Sequence, residues 1–320
     1  MADDFEILLE ALSDEQLPLP LADLIALSDL SRERLDRFSK TWLDLSVERQ
    51  RLLLSTLGQQ ADEKIELSFE AINRAALSNP DADVRRIAIN NLWECEDANL
   101  IPIYLGALAN DPGPGVRIAA AEALGRFVLL GEIAKIAPEY LAETEDTLLA
   151  ATASNCPTDL FQACVEALGY SSRPEATEII STAYDEGDES LQGSALIAMG
   201  RSYSEQWNPI VMDELISPSP ILRNEAARAA GELEIKEAVG LLIDLLEDAN
   251  DEVRSSATWS LGLIGGDHAR TALSELQATT LVDDPISEIL QDALDHIDFL
   301  DGTPDLLLLD IDPDDEDAVG

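Results

Sequence analysis

One phrase recurs along this chain and limits its fold more than any other feature. It is an aliphatic residue, a small residue four positions on, and an apolar residue four further. It reads Val84-Arg85…Ala88…Leu92, Val116-Arg117…Ala120…Leu124-Gly125, Leu160…Cys164…Leu168-Gly169 and Leu191…Ala195…Met199-Gly200. Leu222-Arg223…Ala226…Ala230-Gly231 and Val253-Arg254…Ala257…Leu261-Gly262 follow, and a degraded copy, Ile286…Leu290…Leu294, closes the series. The first residues of successive phrases lie 32, 44, 31, 31, 31 and 33 positions apart. Self-similarity at that period is the signature of a solenoid.

The phrase is a helix signal, because positions 0, +4 and +8 share one face at 3.6 residues per turn. Turn chemistry precedes each copy, as in Asn79-Pro80-Asp81, Asp111-Pro112-Gly113, Ser217-Pro218-Ser219-Pro220 and Asn250-Asp251. Asp, Asn and Ser there can cap a helix, and Pro is tolerated in its first turn. Gly125, Gly169, Gly200, Gly231 and Gly262 end five phrases, where a left-handed helix C-terminus is expected. A second amphipathic stretch lies upstream of each phrase, for example at 67–77, 100–108 and 238–246, which makes each period an αα-hairpin. The small residue at +4 lets neighbouring helices approach closely.

Asp81-Ala82-Asp83-Val84-Arg85…Ala88…Leu92 and its copies resemble the second helix of HEAT repeats, closest to the short bacterial form also known from phycobilin-lyase-like proteins. The resemblance covers residues 62–300 and implies an all-α fold, a right-handed α-solenoid of about seven HEAT-like αα-hairpins. Arg85, Arg117, Arg223 and Arg254 occupy the slot where the family places an arginine that ties repeat to repeat, and are read as structural. Phe161, Gln192 and Ser287 depart from that slot.

Three segments break the period. Residues 1–61 lack the phrase but alternate helical stretches with breaks, at 5–12, 19–27, 31–43 and 47–57, and read as an N-terminal helical cap shielding the end of the core. The 44-residue spacing adds about a dozen residues between Phe127 and Ala153; they are either longer helices or a loop on a binding face. Residues 301–320 form an acidic, partly apolar tail. Its Leu306-Leu307-Leu308-Leu309-Asp310-Ile311 reads either as a linear interaction motif or as a segment packed on the last repeat.

Twenty Lys and Arg face 64 Asp and Glu, a net charge of −44. The excess is −8 over residues 1–80, −28 over 81–300 and −8 over the last twenty, so it belongs to the whole molecule. Such a surface repels phosphate backbones and anionic leaflets, which argues against nucleic acid and membrane partners. It serves solubility or meets a basic partner. Cys95, Cys156 and Cys164 form no CxxC, and Cys164 stands in the small-residue slot as a buried thiol. Met1-Ala2-Asp3-Asp4-Phe5 lacks a signal-peptide start, so a cytoplasmic location is expected.

Chemistry is hard to place. Deoxyhypusine hydroxylase is built from similar repeats and takes its iron ligands from His-Glu pairs. Here the two histidines, His268 and His296, precede Ala269 and Ile297, so no metal is expected. No GxSxG or phosphate-binding glycine loop occurs, and no cofactor is expected. The exposed row at +6 holds Asn90, Glu122, Glu166, Ile197, Arg228, Trp259 and Asp292, which is no basic stripe. Apolar anchors among polar residues suit a protein or peptide partner.

The expected function is a non-enzymatic protein-protein interaction scaffold or adaptor using the concave face, the acidic tail or both. The candidate partner-binding residues are Trp259, Arg228, Ile197, Glu166, Glu122, Asn90, Trp93, Leu306, Leu307 and Ile311. The resemblance implies an alternative, a bilin lyase or isomerase acting on a phycobiliprotein. That activity needs a polar or basic clamp for the propionates, and most of the arginines sit in structural slots. A third reading is an assembly factor or chaperone for a basic partner. The packing reading has its own test: Ala226→Leu or Ala257→Leu should overpack the stack and cost about 1–3 kcal/mol, measured by urea denaturation.

Overall fold

A computed structural model describes residues 4–153, 156–281 and 284–302, and the regular structure there is all helical. The chain divides into two units, residues 1–171 and 172–320. The first contains α1 (Asp4–Ser13), α2 (Arg32–Asp44), α3 (Val47–Glu63), α4 (Glu70–Ala76), α5 (Ala82–Asn90), α6 (Ile101–Asn110), α7 (Pro114–Glu132), α8 (Pro138–Ala151) and α9 (Thr158–Leu168). The second contains α10 (Pro174–Glu186), α11 (Glu189–Arg201), α12 (Asn208–Glu214), α13 (Pro220–Glu232), α14 (Val239–Leu245), α15 (Asp251–Ile264), α16 (Asp267–Thr279) and α17 (Ile286–Gly302). Each unit is an α-solenoid stack of αα-hairpins. The phrase helices lie side by side, α3, α5, α7 and α9 in one unit and α11, α13, α15 and α17 in the other.

The phrase works as a packing code. Val84, Ala88 and Leu92, like Val253, Ala257 and Leu261, turn their shared face into the core and are buried. Burying a Val or Leu side chain is worth about 1.5–3 kcal/mol, so the three slots hold each helix to its hairpin partner. The expected caps form: the Asp81, Ser219 and Asn250 side chains accept hydrogen bonds from the N–H groups of Val84, Leu222 and Val253. Trp42, Trp207 and Cys164 are buried in the core.

The slot at +1 does two jobs. Arg85 donates to the Asn79 and Pro80 carbonyls at 2.7 and 3.0 Å, closing its own hairpin, and forks onto Asp111 of the next hairpin at 2.7 and 2.8 Å. Arg223 repeats this, onto the Ser217 and Pro218 carbonyls and onto Asp248 at 2.7 and 2.9 Å. Each aspartate also accepts the backbone N–H two residues on, Gly113 or Asn250, at 2.8 Å. Gln192, one of the departures from this slot, still closes its hairpin by donating to the Tyr184 carbonyl.

The glycine column serves a purpose other than the one expected. Gly125, Gly200, Gly231 and Gly262 lie inside their helices, and among the described residues the glycines with positive φ are Gly265 and Gly266. A Cβ at Gly262 would lie 2.7 Å from Ala293 Cα, and one at Gly231 would lie 2.9 Å from Ser260 Cα. Gly125 and Gly200 face the backbones of Ala167 and Ala229 in the same way. The column at +9 therefore admits the neighbouring helix at its +7 position. The left-handed residue falls three positions later, at Tyr203 (φ 51°), Glu234 (φ 50°) and Gly265 (φ 67°).

Helices α1 to α3 carry the period further upstream than the sequence shows. Gln50 takes the +1 slot, donating to the Trp42 and Leu45 carbonyls and accepting from Asn79, a neutral version of the Arg85–Asp111 tie. Leu53 and Leu57 fill +4 and +8, and Gly58 at +9 abuts Asn91 at the next +7. Arg49 stands in the first aliphatic slot. It is buried and donates to the Leu12 and Leu17 carbonyls at 3.2 and 2.9 Å, capping the end of α1. The stretch 19–27 contributes one 3-10 turn, Leu24–Leu27. One core joins these elements to the first recognised phrase, from Phe5 and Leu12 to Val84 and Ala88. The extra residues between Phe127 and Ala153 lengthen α7 and α8, with Phe127, Val128 and Leu130 buried, and add little loop.

Two opposite glycine changes test this geometry. Gly262→Ala should destabilise the protein by about 1–3 kcal/mol, since backbone stands where the methyl would go. Glu234→Gly should stabilise it by up to about 1 kcal/mol, by relieving a left-handed non-glycine residue. Both shifts are readable as thermal midpoints. The Arg–Asp ties add a pH dependence. Arg223 hydrogen bonds hold the Asp248 carboxyl below its ordinary range. Burial raises Asp111, but Arg85 and the Gly113 N–H outweigh it and leave it lowered. A depressed carboxylate contributes fully above its unfolded pKa and loses that contribution as pH falls through the folded value. Urea midpoints should therefore drop below about pH 4, and Arg223→Ala should cost about 2 kcal/mol at neutral pH with a shallower acid limb.

Candidate protein-interaction site

The hairpin junction at α5 differs from its neighbours. Elsewhere +9 is glycine in most copies, but here it is Trp93, whose indole could not pass the adjoining helix. Helix α5 stops at Asn90 and the chain turns through 91–94, which places Trp93 outside, 57% exposed. Asn91, at the slot that other copies fill with Ala or Ser, is pinned by donating to the Leu54 carbonyl at 2.9 Å and to Asn73 Oδ1 at 3.0 Å.

The missing helical turn leaves a cleft of about 550 Å³ between the end of α3, the start of α4 and this turn. Ile65, 94% exposed, and Trp93 supply its apolar surface, with Asp62, Glu70, Asn90 and Glu94 around them. Glu70 is engaged by Arg74, which also reaches Asp97 and the Cys95 Sγ. Asn90 and Trp93, chosen from sequence, thus meet at one place. Ile65, Asp62 and Glu94 lie outside the slots the phrase singles out, so the repeat carries no signal for them.

Glu122 and Glu166 sit on α7 and α9 of the first unit, exposed and half-buried respectively. In the second unit Ile197 is half-buried, Arg228 exposed and Trp259 38% exposed, in the same slot of α11, α13 and α15. Burial raises the Glu232 carboxyl near Arg228, while Arg201 and Arg228 pull it back. Leu306, Leu307 and Ile311 lie outside the described residues. Burial pushes the Cys164 thiol up to about 12, which leaves it a packing group. Among the described residues no His, Cys, Asp and Glu cluster is arranged to hold a metal, and no helix is long and apolar enough to cross a membrane.

A family model for HEAT repeats matches residues 71–143 and 208–294, together half of the chain. The chain belongs to the HEAT-repeat family. No curated protein matches it. Among solved structures, this HEAT-repeat protein is similar to the CpcE–CpcF complex of phycocyanin lyase from a Nostoc species, at 18% identity over 72% of this chain and 95% of that one, with a TM-score of 0.46. It is also similar to YibA of Escherichia coli, at 16% identity over 89% and 99% of the two chains, with a TM-score of 0.45. Human deoxyhypusine hydroxylase in complex with glycerol follows at 18% identity over 92% and 96%, with a TM-score of 0.36.

Proposed function

We propose that this HEAT-repeat protein is a non-enzymatic, cytoplasmic scaffold that binds a protein carrying basic surface. HEAT repeats generally serve protein interactions, and the distribution of charge supports a basic partner. The arginines that could offset the acidic excess are engaged within the fold: Arg37 with Glu6, Arg51 with Asp81, Arg74 with Asp97, Arg126 with Glu96 and Arg270 with Asp298. With those arginines already counted, the net charge is still −44, a field that steers cations toward the protein. Asp62 and Glu94 in the first unit are acidic groups lining a cleft with exposed apolar neighbours. We assign the cap to residues 1–61, the repeats to 62–300 and an accessory tail to 301–320.

Affinity capture at low salt, read by mass spectrometry, tests this. The expected result is a stoichiometric partner with more Lys and Arg than Asp and Glu, released as salt approaches about 0.5 M, where the Debye length falls to a few ångströms. A salt-resistant acidic partner, or a chain that emerges coloured when produced with bilin, would sink the reading.

A further inference from the structure

Charge alone does not say where a partner's side chains go, and three surfaces compete. Trp259 lies in a row with Ile197 and Arg228, whose cation works against a basic ligand. The apolar residues Phe299 and Leu300 near the end of α17 adjoin residues 303–320, which lie outside the described residues, and carry no docking argument. The cleft after α5 has shape, an exposed indole and acidic walls together.

We propose that this cleft is the docking site for a basic peptide segment of another protein, with an arginine or lysine over the Trp93 ring and an apolar neighbour on Ile65. The assignment rests on the scaffold reading above and narrows it to one place. A volume of about 550 Å³ falls within the roughly 300–1,000 Å³ of ordinary ligand clefts and has room for several side chains. A cation over an indole face gains from the ring quadrupole, and the gain grows as water is excluded. The protein already sets cations over an aromatic ring at the edge of its N-terminal core, where Arg34 and Arg37 lie 5.0 and 5.2 Å from the ring centroid of the buried Phe5. Asp62 and Glu94 line the cleft without an ion-pair partner among the described residues, whereas Glu70 is taken by Arg74.

Charge complementarity also selects among occupants. A second copy of this chain would bring its own −44 to an acidic rim. The chain's last twenty residues hold 8 acids and no base, so they are repelled from the same walls despite their leucines. A basic segment from another protein meets neither penalty.

The probe is a fluorescein-labelled peptide of arginines flanked by leucines, compared with its glutamate-for-arginine counterpart by anisotropy on the full chain. The arginine peptide should bind and the glutamate peptide should not. Trp93→Ala and Glu94→Lys should each weaken binding roughly tenfold or more, as expected for a central aromatic anchor and a reversed rim charge. Trp259→Ala should change it less than about twofold, with helical circular dichroism unchanged throughout. Glu94 is exposed, so its variant reads the site even if loss of Trp93 perturbs the turn. If the arginine peptide binds equally to wild type, Trp93→Ala and Glu94→Lys, the cleft assignment is wrong while the scaffold reading stands. If neither this peptide nor a basic partner from the capture experiment binds, both fail. A Trp93-dependent dimer in sedimentation would give the cleft to a second copy and overturn the proposal.

Discussion

The side chain one residue past the first aliphatic slot bears on every junction where its partner is seen. Its donors reach carbonyls at the end of the preceding helix or in the turn just past it, so a single residue closes the hairpin. Its remaining polar atoms meet an Asp or Asn five residues before the next phrase, the arginines donating and Gln50 accepting, so the same residue sets the spacing to the following hairpin. Arg85–Asp111 and Arg223–Asp248 do this with charge, and Gln50–Asn79 does it with amides. With hairpins held at that spacing, the phrase helices come close enough that only glycine fits at +9 against a small residue at +7.

That dependence explains what could be read from the sequence. The buried face, the caps and the structural arginines are legible because each has one chemical meaning at its position. The glycine column is not, because glycine answers two different demands, a left-handed backbone and the absence of a Cβ. The true left-handed position is filled by Tyr203 and Glu234 in two copies, so it leaves no compositional mark. Helix α3 is hidden for a related reason. Arg49 occupies an aliphatic slot because the carbonyls at the end of α1 need a donor there more than the core needs another methyl group.

The candidate site was half legible. Trp93 stood out as a break in a column, and Asn90 fell on a row expected to be exposed. Neither Ile65 nor Asp62 carries a sequence signal that sets it beside them, since Asp62 lies in the last turn of α3 and Ile65 just past it, where the phrase says nothing. The cleft itself arises by subtraction. A helix that must end before its +9 residue leaves a gap the width of the missing turn, and the bulky residue that ended it becomes part of the wall.

The acidity of the chain then takes on a mechanical sense. Like charges spread over the surface repel one another and oppose compaction, which a fold tolerates only where local ties exceed the repulsion. Here the arginines supply those ties from inside the junctions, which leaves few of them to neutralise the surface. A basic partner would therefore gain twice, through its direct contacts and through relief of a repulsion already stored in the free protein. Salt competes with the second gain as well as the first. Burial of an indole and an isoleucine is nearly indifferent to ionic strength, so any binding that survives high salt reports the apolar part of the site.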